Sequence, residues 1–199
     1  MSRQIRIKEY IIPLLLLVLI LFTGHVSVDN SSFPLIAALL FLPFLDIQWK
    51  LPTFSVTRNK VILWLACLLV IVAIALVYQD YFYYAWVMLF LVALPEEWFF
   101  RGYLLKRLSL IDNISIAQNS YLIANIISSI AFSLLHALTR GLPVAFEVFL
   151  PSLFFGWLYQ KTNDLILCIF IHTISNLMFV LFINDQLSIV RKFLGYDIE

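Results

Sequence analysis

Charged side chains are scarce in this chain, and their scarcity excludes most classes of soluble protein. Only 13% of the 199 residues are charged, whereas 63% are hydrophobic. A soluble chain of this length could bury one core, but so few charged residues could not cover the apolar surface that remains. The mean hydropathy of +0.97 instead indicates a polytopic membrane protein whose outer surface contacts lipid.

Cysteine is also rare, and positive and negative charges nearly balance. The two cysteines, Cys67 and Cys168, each lie inside an apolar run, so a disulfide framework is not expected. The formal net charge is only +1, and no basic patch interleaved with aromatic residues occurs. Nucleic acid is therefore not an expected partner.

Apolar segments follow one another along the whole chain and predict an all-α transmembrane helical bundle. They lie near residues 10–28, 33–47, 61–79, 81–105, 118–138, 142–160 and 164–183. A membrane-crossing helix needs about 20 residues. The second segment, broken by Pro34 and Pro43, is therefore expected to be re-entrant or partly exposed. About seven spans are predicted, and six to eight are compatible with the sequence.

Basic residues are distributed unequally between the two sides of such a bundle, which predicts its orientation. The N-terminal basic residues are followed by no small-residue cleavage pattern, so a retained first helix is expected rather than a secretory signal. Lysine and arginine accumulate on the cytoplasmic side, which places the N-terminus in the cytoplasm. One side carries Arg3, Arg6, Lys8, Lys50, Arg58, Lys60, Lys106, Arg107 and Lys161, and the other Arg140, Arg191 and Lys192.

Ionisable and amide side chains interrupt the late apolar segments. Such groups are costly at membrane depth and usually face the interior of the bundle, where they mark function. Their positions therefore predict a functional site in the last four helices. The residues are Glu96, Glu97 and Arg101 in the fourth segment, His136 in the fifth, and His172 and Asn176 in the seventh.

The two adjacent acids are expected to differ in their partners. Glu97 and Arg101 are four residues apart on one helical face, where they can form a buried ion pair. Glu96 points about 100° away and is expected to face a different partner. Pro95, just before them, should kink or restart the helix. The alternative is that both acids lie in an exposed cluster at a helix end, near residues 106–107.

Glutamate and histidine together can perform general acid–base catalysis, in which they activate a water for attack on a peptide carbonyl. A second histidine and an asparagine can donate hydrogen bonds to the oxyanion that develops. A lone histidine in such a helix would more often be a packing residue, but here two lie in separate late helices. Neither a nucleophilic Ser or Cys beside a base nor an HExxH pattern is evident in the sequence.

The spacing of these residues resembles that of a known family. Glu96-Glu97-x-x-x-Arg101, then Phe132-x-x-x-His136, then His172-x-x-x-Asn176 is similar to the three motifs of the CPBP family, which includes type II CAAX prenyl endopeptidases and bacteriocin-processing relatives. The resemblance implies a glutamate-dependent intramembrane endopeptidase. It implies that Glu96 and His136 activate the water, that His172 and Asn176 hold the oxyanion, and that Glu97 and Arg101 support the site.

One integral membrane domain over residues 1–199 is expected, because no repeat, low-complexity run or linker divides the chain. Residues 1–80 would form accessory N-terminal helices, and residues 81–185 the catalytic core. No cofactor is expected. The alternative is zinc, since family members are also called metalloproteases, and its ligands would be Glu96, His136 and His172.

The expected partners are the lipid bilayer and a membrane-anchored protein or hydrophobic peptide substrate. In a bacterial cytoplasmic membrane these would be bacteriocin leaders, peptide pheromones or sorting tails, with a prenylated CAAX protein ranked lower. Glu147 is expected to be a buried acid that either pairs with Arg140 or contacts substrate. Two other functions stay open: a non-catalytic immunity or scaffold protein on the same fold, and a small transporter, which would predict paired halves.

Overall fold

The computed structural model describes residues 8–27, 32–78, 82–110 and 120–193. All regular secondary structure within these ranges is helical, which confirms the predicted all-α bundle. Arg3 and Arg6, which entered the charge argument, lie outside the described residues.

The helices coincide closely with the predicted apolar segments. Four stretches are long and apolar enough to cross a membrane: Arg58–Val77, Tyr121–Arg140, Leu142–Thr162 and Leu165–Ile183. The helices are α1 (Lys8–Ser27), α2 (Phe33–Phe41, followed by a 3₁₀ turn over Leu42–Leu45), α3 (Arg58–Val77), α4 (residues 82–109), α5 (Ser120–Arg140), α6 (Leu142–Thr162) and α7 (Leu165–Phe193).

Helix α2 is short, as its two prolines predict. Pro34 lies at its first turn, where a missing N–H costs nothing, and Pro43 lies in the 3₁₀ turn that ends it. Even with that turn the apolar stretch Phe33–Leu45 is only about 20 Å long at 1.5 Å per residue. Since the hydrocarbon core is about 30 Å thick, α2 does not cross it alone.

Helix α4 carries both acids and continues through Pro95 without restarting. Its turns widen on either side, over Met88–Ala93 and Trp98–Leu105, to i→i+5 hydrogen bonding. Proline has no N–H to donate, so the hydrogen-bond register must change around it, and such π turns are frequent at functional sites. Glu96 and Glu97 lie in the α-helical turn between the wide segments, and both are buried. The alternative of an exposed cluster is therefore wrong.

Helix α5 is offset along the bundle, and the offset brings His136 to the depth of Glu96. His136 lies four residues before the end of α5, whereas Glu96 lies fourteen residues after the start of α4. On the side of the bundle where α4 begins and α5 ends, α4 extends roughly 20 Å past this level and α5 only about 6 Å, at 1.5 Å per residue.

Polar contacts join the loops at the opposite end, where α2 and α4 end and α3 and α7 begin. Arg107 Nε donates to Asp46 Oδ2 at 2.8 Å, and Trp64 Nε1 donates to Asp164 Oδ2 at 3.0 Å. Lys60 Nζ lies 3.8 Å from the same Asp164 oxygen. We call this region the basic end, after its residues Lys50, Arg58, Lys60, Lys106, Arg107 and Lys161.

A glycine permits close packing between α5 and α6. Asn125 Nδ2 in α5 donates to the Leu153 carbonyl in α6 at 2.9 Å, and a Cβ atom at Gly156 would overlap the Asn125 side-chain amide. The amide of Asn125 is buried and belongs to this contact, so it cannot move aside without losing its hydrogen bond.

Gly156→Ala should therefore lower the stability of the bundle by about 1–3 kcal/mol, the usual cost of overpacking. Thermal unfolding in detergent would measure the loss. Leu150→Ala, on the exposed side of the same helix, is the control and should change stability by less than about 0.5 kcal/mol. The double variant Asn125→Ala with Gly156→Ala should lose less than the sum of the two single variants, because the clash disappears with the amide. If the stability losses of the two single variants add strictly in the double variant, the methyl group of Gly156→Ala does not clash with Asn125.

Candidate active site

A buried ion pair lies at the centre of the site, as the four-residue spacing predicts. Arg101 Nη1 donates to Glu97 Oε1 at 2.9 Å, and the side chains are 1% and 0% exposed. The other guanidinium nitrogen donates to Ser152 Oγ at 2.8 Å and to the Ser152 carbonyl at 2.9 Å. The guanidinium also lies 5.1 Å from the Phe132 ring centroid and 5.6 Å from that of Phe155. These contacts offset the desolvation of both charges.

His172 lies between the two carboxylates. Its Nδ1 is 2.8 Å from Glu97 Oε1, and its Nε2 is 3.6 Å from Glu96 Oε2. Glu97 alone pairs with Arg101, as expected, and Glu96 faces a different partner, although both acids approach opposite edges of the His172 ring. Glu97 Oε1 also accepts from Arg101, so it is an acceptor and Nδ1 is the donor. The ring is stacked on Phe155 with centroids 4.9 Å apart, which fixes its plane.

His136 is held by its own helix. Its Nδ1 donates to the Phe132 carbonyl at 3.0 Å, one turn earlier, and its ring lies 4.4 Å from the Phe132 ring. Since Nδ1 is the donor, Nε2 of the neutral ring is an acceptor. His136 is 5% exposed and therefore has little access to the surroundings except through the cavity that it lines.

A cavity of about 430 Å³ lies between α2, α4 and α5, with Glu96 and His136 in its wall. Its rim includes Ser32, Phe33 and Arg140, all of which are exposed. Helix α2, from the part of the chain predicted to be accessory, thus supplies one side of the cavity. The remaining lining residues are Leu35, Ile36, Leu39, Val87, Leu91, Val92, Leu135 and Thr139.

Two carboxylate oxygens in the site have no hydrogen-bond partner among the described residues. They are Oε2 of Glu96 and Oε2 of Glu97, and both are buried. A buried acceptor without a partner is costly, and such exceptions are commonest where a group acts on a water or a ligand. Only Glu96 of the two lines the cavity, so its oxygen is the one that a molecule in the cavity can approach.

Asn176 lies outside this cluster. Its Nδ2 is 4.0 Å from the sulfur of Met88, which is two turns before Glu96 in α4. Because Asn176 is one turn after His172 in α7, its amide reaches α4 nearer the start of that helix than the acids do. The structure therefore brings Glu96, Glu97, Arg101 and His172 together and leaves Asn176 beside them.

Two residues of the site were not predicted, and one expected acid is elsewhere. Ser152 accepts a hydrogen bond from Arg101 and positions it, and the Phe155 ring stacks on His172. The signal in the sequence was a serine directly after Pro151 in an apolar segment.

Glu147, in contrast, is exposed on α6 and makes no ion pair with Arg140 in the described part of the chain. The prediction of a buried acid there is wrong, because none of the described helices covers that face of α6.

The zinc alternative names Glu96, His136 and His172 as ligands. No three His, Cys, Asp or Glu side chains converge on one point within the described residues. His172 Nδ1 is hydrogen-bonded to Glu97, and His172 Nε2 lies 3.6 Å from Glu96 Oε2, a separation that two ligands of one zinc ion have at bonds of about 2.0–2.2 Å, so the zinc alternative stays a prediction. The expected absence of a cofactor stays a prediction.

Fold and site together define a helical membrane protein with a buried cluster of two glutamates, an arginine and a histidine beside a second histidine. The family model described as type II CAAX prenyl endopeptidase Rce1-like matches residues 59–178, more than half of the chain. The chain belongs to this family of membrane proteases, which confirms the resemblance seen in its motifs. Comparisons with curated proteins and with solved structures give no match.

The two acids should respond differently to neutralisation. Glu97→Gln strands the buried guanidinium of Arg101 and should cost roughly 3–5 kcal/mol, whereas Glu96→Gln should leave the melting temperature nearly unchanged because Glu96 makes no hydrogen bond through Oε2. Thermal melting of both purified variants in detergent would measure this. Glu97→Gln with Arg101→Gln should recover part of the stability, since no unpaired ion remains. A lower melting temperature for Glu96→Gln than for Glu97→Gln would reverse the assignment.

Proposed function

We propose that this protein is a membrane-embedded endopeptidase that hydrolyses a peptide bond in a membrane-associated protein or peptide. The observation that carries the proposal is the cavity in which Glu96 of α4 and His136 of α5 meet inside an apolar bundle. An acid with a free, buried oxygen and an imidazole acceptor lining one cavity are the groups needed to activate water. Membership of a protease family supports the same reaction.

In the proposed reaction a water lies between Glu96 Oε2 and His136 Nε2. Its oxygen attacks the scissile carbonyl carbon, and a C–O bond forms as Glu96 takes the proton. The tetrahedral intermediate then collapses: the C–N bond breaks, and Glu96 returns the proton to the leaving amine. One water is consumed, and a new carboxylate and a new amine are released. No step in this scheme uses a metal ion.

The oxyanion is assigned to His172 and Asn176. Glu97 holds His172 at Nδ1, which directs Nε2 toward Glu96 and the position of the oxyanion. Among the described residues the Asn176 amide contacts the thioether of Met88, a weak acceptor, so the amide loses little when it turns toward a bound substrate. Glu97 and Arg101 position His172 and do not touch the substrate.

The proposed substrates are bacteriocin leaders, peptide pheromones or sorting tails of membrane-anchored proteins in a bacterial cytoplasmic membrane, with a prenylated CAAX protein as a less favoured class. A hydrophobic substrate that brings a polar peptide bond to Glu96 and His136 fits a cavity lined by eight apolar and five polar or charged residues. The competing function, a non-catalytic immunity or scaffold protein, uses the same fold and differs only in lacking turnover.

Glu96→Gln and His136→Ala should each abolish cleavage while the protein still inserts and accumulates. Comparison of the membrane proteomes of wild-type and Glu96→Gln cells would reveal the precursors that accumulate, and one of them would then serve as the assay substrate. Groups that act as a unit are non-additive, so the double variant should be little worse than either single one.

Glu147→Gln is the matched control, because it makes the same acid-to-amide change on the exposed side of α6. It should leave the precursor pattern of wild type unchanged. Identical proteomes for wild type and Glu96→Gln would favour the non-catalytic alternative, and turnover near wild type for His136→Ala would remove that residue from the mechanism.

Asn176→Ala tests the oxyanion assignment. Loss of one such donor typically lowers kcat by about 10²–10³ while substrate binding is largely kept. Steady-state kinetics on the identified precursor would separate kcat from KM. Because Asn176 lies against Met88 and not within the cluster, a raised KM with unchanged kcat would assign it to substrate positioning instead.

A further inference from the structure

Among the described residues that line the catalytic cavity, Arg140 is the one with a permanent positive charge. It is the last residue of α5, exposed at the cavity rim, and His136 lies one turn earlier on the same helix. Helical side chains lean toward the N-terminus of their helix, so the side chain of Arg140 covers the turn that carries His136. The cation and the histidine of the proposed mechanism therefore share one wall of the cavity.

The guanidinium of Arg140 keeps its hydrogen-bond donors available within the described part of the chain. It forms no ion pair there, whereas Arg101 and Arg107 each bind a carboxylate. A cation at the C-terminal end of a helix is stabilised by the helix dipole, so it does not need an acid beside it. Arginine presents five N–H donors in a planar fork that matches the shape of a carboxylate. Arg140 is thus equipped to bind an anionic group of a molecule in the cavity.

The polar residues of the lining lead from the site to the rim. His136, Thr139 and Arg140 follow one another along the last turn of α5, and Ser32 lies where α2 begins. Eight apolar residues of α2, α4 and α5 form the rest of the wall. A bound peptide therefore has apolar surface for its side chains and a polar track that ends at a cation.

The distance along α5 limits where the anionic group of such a peptide lies. Four helical residues, from His136 to Arg140, rise about 6 Å. An extended peptide advances about 3.3–3.6 Å per residue. A group bound at Arg140 therefore belongs to a substrate position about two residues from the peptide bond held at His136.

We propose that Arg140 is a subsite for a carboxylate of the substrate, located about two residues from the scissile bond. The carboxylate is the side chain of an aspartate or glutamate, or the free C-terminus of the substrate, since both present the same group to the guanidinium. A basic residue at that position is repelled, so Arg140 selects between substrates by charge. The consequence for cleavage rests on the proposed function, whereas binding is measurable without turnover.

Peptide binding to the purified Glu96→Gln protein in detergent tests the subsite without cleavage. The probe is a short apolar peptide of leucine, phenylalanine and alanine with a neutral fluorophore, an amidated C-terminus and one central aspartate. Fluorescence anisotropy should show that it binds about fivefold more tightly than the same peptide with asparagine, the ratio expected for a strong but partly exposed ion pair. The asparagine peptide with a free C-terminus forms the second arm. Tighter binding of that peptide alone would assign the subsite to the terminal carboxylate.

Variants of Arg140 in the same Glu96→Gln background show whether this residue carries the preference. Arg140→Gln should abolish it, Arg140→Lys should keep part of it, and Arg140→Glu should shift it to a peptide with a central lysine. Lys161→Gln is the matched control, because it makes the same cation-to-amide change in the last turn of α6, at an exposed residue that does not line the cavity. It should leave the preference unchanged.

Three outcomes overturn the subsite: no carboxylate peptide binds more tightly than the amidated asparagine peptide, the preference survives Arg140→Gln, or it disappears equally in Lys161→Gln. If the peptides bind as expected but Glu96→Gln cells accumulate no precursor, the subsite holds and the proposed function fails.

Kinetics on an accumulated precursor extend the test to cleavage. Replacing the acid beside its cleavage site by the corresponding amide, or amidating its C-terminus, should raise KM for the wild-type protein about fivefold and leave KM for Arg140→Gln unchanged. Precursors without a carboxylate near the cleavage site would overturn the subsite and leave the proposed function standing. A fall in kcat for Arg140→Gln that is equal for acidic and amidated substrates would show that Arg140 acts on the catalytic groups and not on the substrate.

Discussion

The carboxylate of Glu97 is the group on which the site depends. It is fully buried in an apolar bundle, where an unpaired charge would be costly, and it binds Arg101 of its own helix and His172 of α7. Arg101 in turn binds Ser152 of α6. One buried charge thus joins three helices, and the requirement to satisfy it determines how those helices face one another.

The adjacent acid is placed by the same helix but has a different environment. Glu96 faces the cavity between α2, α4 and α5, which His136 also lines. Two neighbouring carboxylates therefore differ: Glu97 is hydrogen-bonded to protein groups, and Glu96 faces the cavity. The first has its charge satisfied by protein groups, and the second keeps an oxygen for a molecule in the cavity. This difference supports the division of roles in the proposed mechanism.

Several features could be predicted from local sequence because they depend on short distances along the chain. The helical segments follow from apolar length, and the pairing of Glu97 with Arg101 follows from a spacing of four residues. The short α2 follows from Pro34 and Pro43. The expectation for Glu147 was wrong because burial depends on whether another helix covers that face, and hydropathy alone carries no such information.

The sequence by itself determined the class of protein, the helices and the residues that interrupt them, since these follow from composition, periodicity and motif spacing. Tertiary structure decided the contacts between helices: that both glutamates approach His172, that Ser152 and Phe155 complete the cluster, that Asn176 lies against Met88, and that α2 lines the cavity. Each depends on the offset and rotation of one helix against another. That geometry is set by packing over the whole bundle, which no single segment specifies.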